Sequence, residues 1–314
     1  MGKPLVRARL AVVGLGRIGQ LHAANLAGRV PGAQLAGVVD ELEPVARAVG
    51  DRHGVRWSTS LDELLPNADG VVIAAPTSLH VELVERVAAA GAHVFCEKPL
   101  GFEVEAAARA TATARMAGVA LQVGFQRRFD PGWLALRASL DTGEVGELAL
   151  LRSSHRNAVS PPRELGDLFV DMAVHDLDAA RWLAGEVAEL HALERPGTAT
   201  IAVRFESGAL GLIDLSRRAG YGFECSAELV GSRATARTGH AGGVELLRDG
   251  AVRSPLPADH AQRHEAAYVA ELEHFAAVAL GAAPAGADGE DAGAALKLAL
   301  LARRSAETGA PVAA

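Results

Sequence analysis

ARLAVVGLGRIG, residues 8–19, runs from a mostly apolar stretch, Ala8 to Val13, straight into Gly14-Leu15-Gly16-Arg17-Ile18-Gly19. That order is strand, glycine turn, helix. The three glycines do different work in it: Gly14 permits the turn, Gly16 lets the backbone approach a pyrophosphate, and Gly19 packs the helix against the strand, with Arg17 and Ile18 opening the helix. A second strand, Gln34 to Val39, ends in Asp40, 21 residues beyond Gly19. This is close to the spacing at which a carboxylate meets the adenosine ribose hydroxyls of a bound dinucleotide. Asp40, Glu41 and Glu43 would also repel a 2′-phosphate, and no Arg or Lys stands between Asp40 and Arg47 to neutralise one. NAD rather than NADP is therefore the expected cofactor.

Outward from the glycine loop, residues 8–122 alternate short apolar runs with helical stretches, the pattern of βαβ units in a parallel sheet. Arg17 to Val30 reads as a helix, and Ser60-Leu-Asp-Glu63 as a capping box opening a short helix before the strand Val71 to Ala75. Ser78 reads as the cap of a helix reaching Gly91. His93 to Cys96 follows as a strand, Glu103 to Ala117 as a helix ended by Gly118, and Val119 to Gly124 as a strand. Pro76 and His80, just past the strand Val71 to Ala75, are candidate cofactor contacts, with capping of its own helix as the alternative for His80.

Beyond Gln126 the texture changes to strand-like runs, Glu147 to Ser154, Thr198 to Glu206 and Leu210 to Leu215, joined by hairpin-type turns. Helical stretches at Leu168 to Leu183, Gln262 to Leu280 and Asp291 to Thr308 accompany them. The expected fold is α/β: an N-terminal Rossmann domain with a doubly wound parallel sheet, residues 1–123, and a C-terminal α+β domain with a mostly antiparallel open sheet, residues 124–314. No repeat of fixed period is present.

A chain of 314 residues suits two domains, each with its own core. Its 49% hydrophobic and 22% charged residues, with no uncharged run long enough to cross a bilayer, are those of a soluble globular protein. The N-terminal segment lacks a small-residue cleavage site, and Val6 stands where a myristoylation signal needs Ser or Thr. The net charge of −7 would repel a phosphate backbone, so nucleic acid is not an expected partner. Cys96 and Cys225 show neither zinc-ligand nor disulfide-framework spacing, which fits a reducing cytoplasm.

At Glu97-Lys98-Pro99 the sequence resembles the glucose-fructose oxidoreductase / inositol dehydrogenase family, and most of all its inositol 2-dehydrogenases. The likeness is carried by GLGRIG (14–19), APTSLH (75–80), CEKPL (96–100), QVGFQRRFDP (122–131), DMAVHDLDAARWL (171–183) and AAYVAELEHF (266–275). The resemblance implies NAD-dependent oxidation of a secondary hydroxyl on a cyclic polyol or sugar. It implies Lys98, Asp171 and His175 as the catalytic group, Glu97 beside the cofactor, and a cis bond at Lys98-Pro99. Arg127, His155, Asn157 and Tyr221 fall where the family lines its polyol pocket. Each has a structural alternative: a half-buried histidine is ordinary in a strand, and Tyr221 follows a glycine in a turn. Ala173 stands where the family tends to have Thr, His155-Arg-Asn157-Ala replaces a common SRDP, and Phe223 replaces a frequent tyrosine. These departures imply a changed pattern of substrate hydroxyls.

The residues support the same chemistry. Asp171 and His175 are four apart, so on one helix they share a face, and Lys98 lies at the carboxyl end of a parallel strand, where open α/β sheets bind ligands. An alcohol is about nine pKa units weaker as an acid than imidazole, a gap of roughly 12 kcal/mol that a histidine base does not close alone. A lysine ammonium against the developing alkoxide stabilises it. On this reading His175 is the general base, Lys98 the electrostatic partner, and Asp171 orients His175 or holds a neighbouring hydroxyl. An exposed ion pair is the bland alternative for Asp171 and His175. A metal is not expected, since no third ligand is evident and the lysine would repel the ion. A non-catalytic NAD-binding, sugar-responsive regulator and an NAD-dependent glycoside hydrolase are the competing readings; net NADH accumulation with a free polyol separates the dehydrogenase from both. An antiparallel sheet without an obvious cover implies pairing into a homo-oligomer, dimer or tetramer.

Overall fold

Six strands begin the chain: β1 (Ala8–Val13), β2 (Ala33–Val39), β3 (Arg56–Ser58), β4 (Gly70–Ile73), β5 (His93–Cys96) and β6 (Leu121–Val123). In the computed structural model, which describes residues 6–158, 167–239, 246–248, 251–253 and 257–314, they form one parallel sheet in the order β3-β2-β1-β4-β5-β6. Between them run α1 (Arg17–Gly28), α2 (Glu43–His53), α3 (His80–Ala89) and α4 (Val104–Met116). Strands covered on both faces must be apolar throughout, and Val71, Val72 and Ile73 are fully buried. The strand order reverses between β1 and β4. That switch point opens the crevice in which doubly wound sheets bind ligands.

The second sheet is built from β7 (Leu148–Ala158), β8 (Val187–Arg195), β9 (Thr198–Phe205), β10 (Leu210–Ala219), β11 (Glu224–Gly231), β12 (Thr235–Thr238) and β15 (Val312–Ala313), in the order β12-β11-β7-β10-β9-β8-β15. All its pairings are antiparallel except β7 with β10. A separate hairpin joins β13 (Leu246–Arg248) to β14 (Ala251–Arg253). The helices here are α5 (Pro131–Asp141), α6 (Val174–Ala184) and the short α7 (His260–Arg263). Asp130 caps α5 by accepting the Gly132 and Trp133 N–H groups at 2.9 and 3.3 Å, ahead of Pro131 at the first helical position. Its other oxygen takes Arg263 Nη1 at 2.7 Å and His264 Nδ1 at 3.1 Å, which hold the buried carboxyl down at about 2.

Packing divides the chain into two compact units, Met1–Phe129 with Ala266–Ala294, and Asp130–Glu265 with Ala295–Ala314. This differs from a contiguous split at residue 123, and the reason is α8 (Glu265–Ala279). Its Leu272, Phe275, Ala276 and Val278 belong to the same buried cluster as Leu10, Val12 and Phe95. The Gln122 amide donates to the Glu271 carbonyl at 3.2 Å, and Val123 N–H donates to Ala287 O at 2.8 Å beside β6. α9 (Gly289–Thr308) then runs from the first unit into the second.

Local expectations shift in four places. Ser60 precedes only a 3-10 turn, Leu61–Glu63, and makes no side-chain cap; Ser78 lies inside a second such turn, Thr77–Leu79, ahead of α3. The helix expected from Leu168 begins as a π-turn, Phe169–Ala173, before α6 takes over. His264 separates α7 from α8 where one continuous helix is expected. The first five residues lie outside the described residues. Among the described residues, no helix is long and apolar enough to cross a membrane.

Candidate active site

The glycine loop is built as its sequence requires. Gly14 has φ of +84°, and a Cβ there would sit 2.5 Å from Ala75 Cα; a Cβ on Gly19 would overlap the carbonyl oxygen of Gly14. A Cβ on Gly16 would meet nothing within 4 Å, so this backbone faces open space. Gly16 is the N-cap of α1 and offers no side-chain cap, which leaves the first N–H groups of the helix to a ligand. A cleft of about 610 Å³ follows, lined by the loop, by Asp40 to Leu42 and by Ala74 to Pro76. Asp40 Oδ2 accepts the Leu15 N–H at 2.7 Å and Oδ1 accepts the Leu42 N–H at 3.0 Å. Those bonds fix the carboxylate in the cleft wall and leave each oxygen a second lone pair. Arg47 is paired to Glu43 at 2.7 Å and lies 5.0 Å over the Trp57 ring. The uncapped helix end, the open Gly16 and the fixed carboxylate fit a dinucleotide with free ribose hydroxyls.

The strand-end residues divide. Lys98 follows the carboxyl end of β5, and the Lys98–Pro99 bond is cis. Glu97, expected at the cofactor, turns inward instead: Oε1 meets His22 Nε2 at 2.8 Å and Oε2 accepts the Lys98 N–H at 3.3 Å. A Cβ on Gly124 would sit 3.1 Å from Oε2, so the glycine makes room for the carboxyl. His80 is also committed inward. It is 1% exposed, with Nδ1 2.7 Å from Pro99 O and Nε2 2.8 Å from Ala75 O, so it ties the β4 and β5 loops together rather than meeting a ligand. Burial lowers its pKa. Pro76 stays in the cleft wall. Cys96 is buried and its thiol pushed up by burial, and Cys225 is buried as well.

In the second unit, Asp171 lies in the π-turn and His175 in the first turn of α6. Asp171 Oδ2 accepts from Arg217 Nη2 at 2.8 Å, and the arginine is nearly buried while the carboxylate is half exposed. The His155 and His175 rings lie 6.2 Å apart, edge to face. His155 Nδ1 meets Asp176 Oδ2 at 2.9 Å, and Ser153 donates to the other oxygen at 2.7 Å. A carboxylate on Nδ1 fixes the His155 tautomer and keeps Nε2 as the nitrogen able to accept. Asn157 donates to Met172 Sδ at 3.6 Å from the end of β7. Tyr221 is 49% exposed, and its hydroxyl takes a bond from Arg156 at 3.1 Å and gives one to Glu224. That binds the tyrosine into a surface network with Asp214. Arg127, in a 3-10 turn of the first unit, is 2% exposed, and its neighbour Arg128 is ion-paired to Asp291 at 2.9 Å.

With this geometry in place, comparison with known proteins is decisive. Residues 8–125 match the oxidoreductase family model with an NAD-binding Rossmann fold, and residues 133–237 match the GFO/IDH/MocA C-terminal domain. The chain belongs to the GFO/IDH/MocA oxidoreductases. It is 35% identical to scyllo-inositol 2-dehydrogenase (NAD(+)) of Bacillus subtilis, over 86% of this chain and 85% of that one. It is 34% identical to myo-inositol 2-dehydrogenase of Thermotoga maritima, over 95% and 96%. The scyllo-inositol dehydrogenase of Lactobacillus casei, solved with NAD(H) and scyllo-inositol, superposes with a TM-score of 0.91 at 25% identity, covering 98% of this chain and 99% of that one. This GFO/IDH/MocA chain is an NAD-dependent dehydrogenase acting on CH–OH groups.

Three residues of this oxidoreductase escaped the motifs. Asp176 sits inside the DMAVHDLD segment directly after His175, and its full burial with two donors marks it. Arg217 lies in β10, where only its 6% exposure opposite Asp171 sets it apart from neighbouring arginines. Phe223, noted only as a tyrosine replacement, is 3% exposed, its ring 5.8 Å from His155 and 6.1 Å from His264.

Proposed function

We propose that this protein oxidises one secondary hydroxyl of an inositol-type cyclic polyol, with His175 as general base and Lys98 as the cation that stabilises the developing alkoxide. The helix N–H groups beyond Gly16 and the Asp40 carboxylate would hold NAD, which would supply the hydride acceptor. Neutral imidazole at His175 takes the hydroxyl proton. The Lys98 ammonium faces charge that grows only in the transition state, so its attraction is spent on rate rather than on ground-state binding. Asp171 is oriented by Arg217 and accepts from a neighbouring hydroxyl, while Nε2 of His155 and the Asn157 amide, with Arg127, supply further polyol contacts. Tyr221, committed to Arg156 and Glu224, stands at the edge of that set.

The observation that carries this reading is the His155–Asp176 pair beside His175: a buried histidine of fixed tautomer, next to the base, recognises a hydroxyl rather than a hydrophobic group. The protein works in the cytoplasm as a homo-oligomer. The wide spacing of the chain's two cysteines, which gives no disulfide framework, supports the first, and exposed Leu193, Leu210 and Leu212 on the second sheet support the second. The test is a panel of inositols, hexoses, sugar acids and simple alcohols with NAD, read by NADH absorbance. Cyclic polyols should be turned over at least a hundredfold better than 2-propanol; equal rates would overturn the reading.

A further inference from the structure

Behind the Glu97-Lys98-Pro99 turn lies a polar cluster in an otherwise apolar core. His22 from α1 and Glu271 from α8 are both 0% exposed, and with Glu97 they bring one donor or acceptor atom each within 4.8 Å of one another. The pairing is unequal. Glu97 has the His22 bond and the Lys98 N–H, whereas among the described residues neither Glu271 oxygen has a hydrogen-bond partner. Aromatic rings face the histidine: the His22 ring lies 5.5 Å from Phe95 and 6.0 Å from Tyr268, and Leu272 and Phe275, farther along α8, are buried in the core.

From this geometry we infer that Glu271 is a neutral, protonated acid that donates to the Glu97 carboxylate, and that it is a positioning residue for Lys98. Two ionised carboxylates at this spacing in a largely buried setting repel each other, and the His22 bond falls on Glu97, so Glu271 keeps a proton. The proton belongs on Glu271, since the bonds that favour the charged form all fall on Glu97. The ionisable groups around the pair agree: burial and the Glu97 charge raise Glu271, while His22, Lys98 and His80 hold Glu97 down. A spacing of this size is spanned by one water or by rotation of the Glu271 carboxyl. The neutral acid then steadies Glu97, Glu97 holds the Lys98 N–H, and the turn presents the ammonium in one place. This rests on the role proposed for Lys98, but its first test needs no substrate.

The protein contains three lysines, Lys3, Lys98 and Lys297, so modification of Lys98 by an amine-reactive ester is read cleanly by mass spectrometry, with Lys297 as internal control. Glu271→Gln keeps a neutral donor and should leave both the Lys98 labelling rate and kcat within about threefold of the unmodified protein. Glu271→Leu should change the Lys98 rate at least fivefold, leave Lys297 unchanged, and lower kcat at least tenfold with KM for NAD unmoved. Infrared difference spectra should show a protonated carboxyl at neutral pH that Glu271→Gln removes. The inference is overturned if that band is missing, if Gln is as damaging as Leu, or if the purified protein holds a stoichiometric divalent metal that Glu271→Gln loses. If the band and labelling behave as stated but no polyol is oxidised, the functional reading fails and this one stands.

Discussion

Asp40 gives the sharpest test of how the cofactor is chosen. Its carboxylate is fixed in the cleft wall by the Leu15 and Leu42 N–H groups, and the nearest arginine along the chain, Arg47, is already paired to Glu43 and seated on Trp57. A dianionic 2′-phosphate at about 5 Å would be repelled by roughly 2 kcal/mol at the dielectric of water and by about 7 at a surface value near 20. Asp40 faces an open cleft, so the lower part of that range applies, about 3 kcal/mol, or roughly a hundredfold preference for NAD. Asp40→Asn isolates the charge: the amide oxygen still accepts the Leu15 N–H, and the lost bond to Leu42 weakens both cofactors alike. The NAD/NADP ratio of kcat/KM, measured by initial rates on the same polyol, should fall about a hundredfold in Asp40→Asn and further when Asp40→Ser is combined with Glu41→Arg. Equal kcat/KM for both cofactors in the unmodified protein, or an unchanged ratio in Asp40→Asn, would refute the reasoning.

Lys98→Ala and His175→Ala should each lower kcat by two or more powers of ten, about 3 kcal/mol of transition-state stabilisation, with NAD affinity by fluorescence titration unchanged. The rise of turnover with pH that a neutral imidazole base demands should vanish in the residual activity of His175→Ala. Asp130 should govern acid stability. Its folded pKa of about 2 lies below the unfolded value of 3.8, so its ion pairs stabilise fully above pH about 4, by about 2 kcal/mol, and that stability is lost as pH falls through 2. Urea denaturation of Asp130→Asn should show the deficit at pH 7 and convergence with the unmodified protein near pH 2. A constant difference across that range would show that the cap on α5, not the charge, is what Asp130 contributes.

The cofactor half of the molecule was legible because its signals are local. Strand, glycines, helix and Asp40 lie within one βαβ unit, with Gly14 and Gly19 explained by contacts to neighbouring backbone and Gly16 by the open space it faces. What lay hidden depends on pairing across distance. Nothing in residues 265–279 says that α8 packs in the core of the first unit, because an apolar helix face does not name its partner. The π-turn at Phe169–Ala173 escaped for a related reason: at the level of pattern its extra residue per turn is indistinguishable from an α-helix. Asp176 and Arg217 gain their roles only once β7 and α6 meet and β10 lines up beside β7. Conversely, Glu97 and His80 carried the right motif positions with the wrong orientation, since spacing fixes where a residue emerges from a strand and not where its side chain finds hydrogen bonds.

That orientation has a consequence for how the two units are built. Burying a polar group costs free energy unless its bonds are met, and replacing it with an apolar residue of similar size is often neutral or stabilising. Yet each unit sets a carboxylate beside a residue assigned to chemistry: Glu97, near the buried Glu271, accepts the Lys98 N–H in one, and the buried Asp176 meets His155 beside His175 in the other. Around the first of these the core is otherwise apolar. What both acids supply is direction, since a carboxylate held by two donors constrains its neighbour in a way that packing of a methyl group does not. On the function proposed above, such acids would fix a lysine and a pair of histidines rather than stabilise the fold.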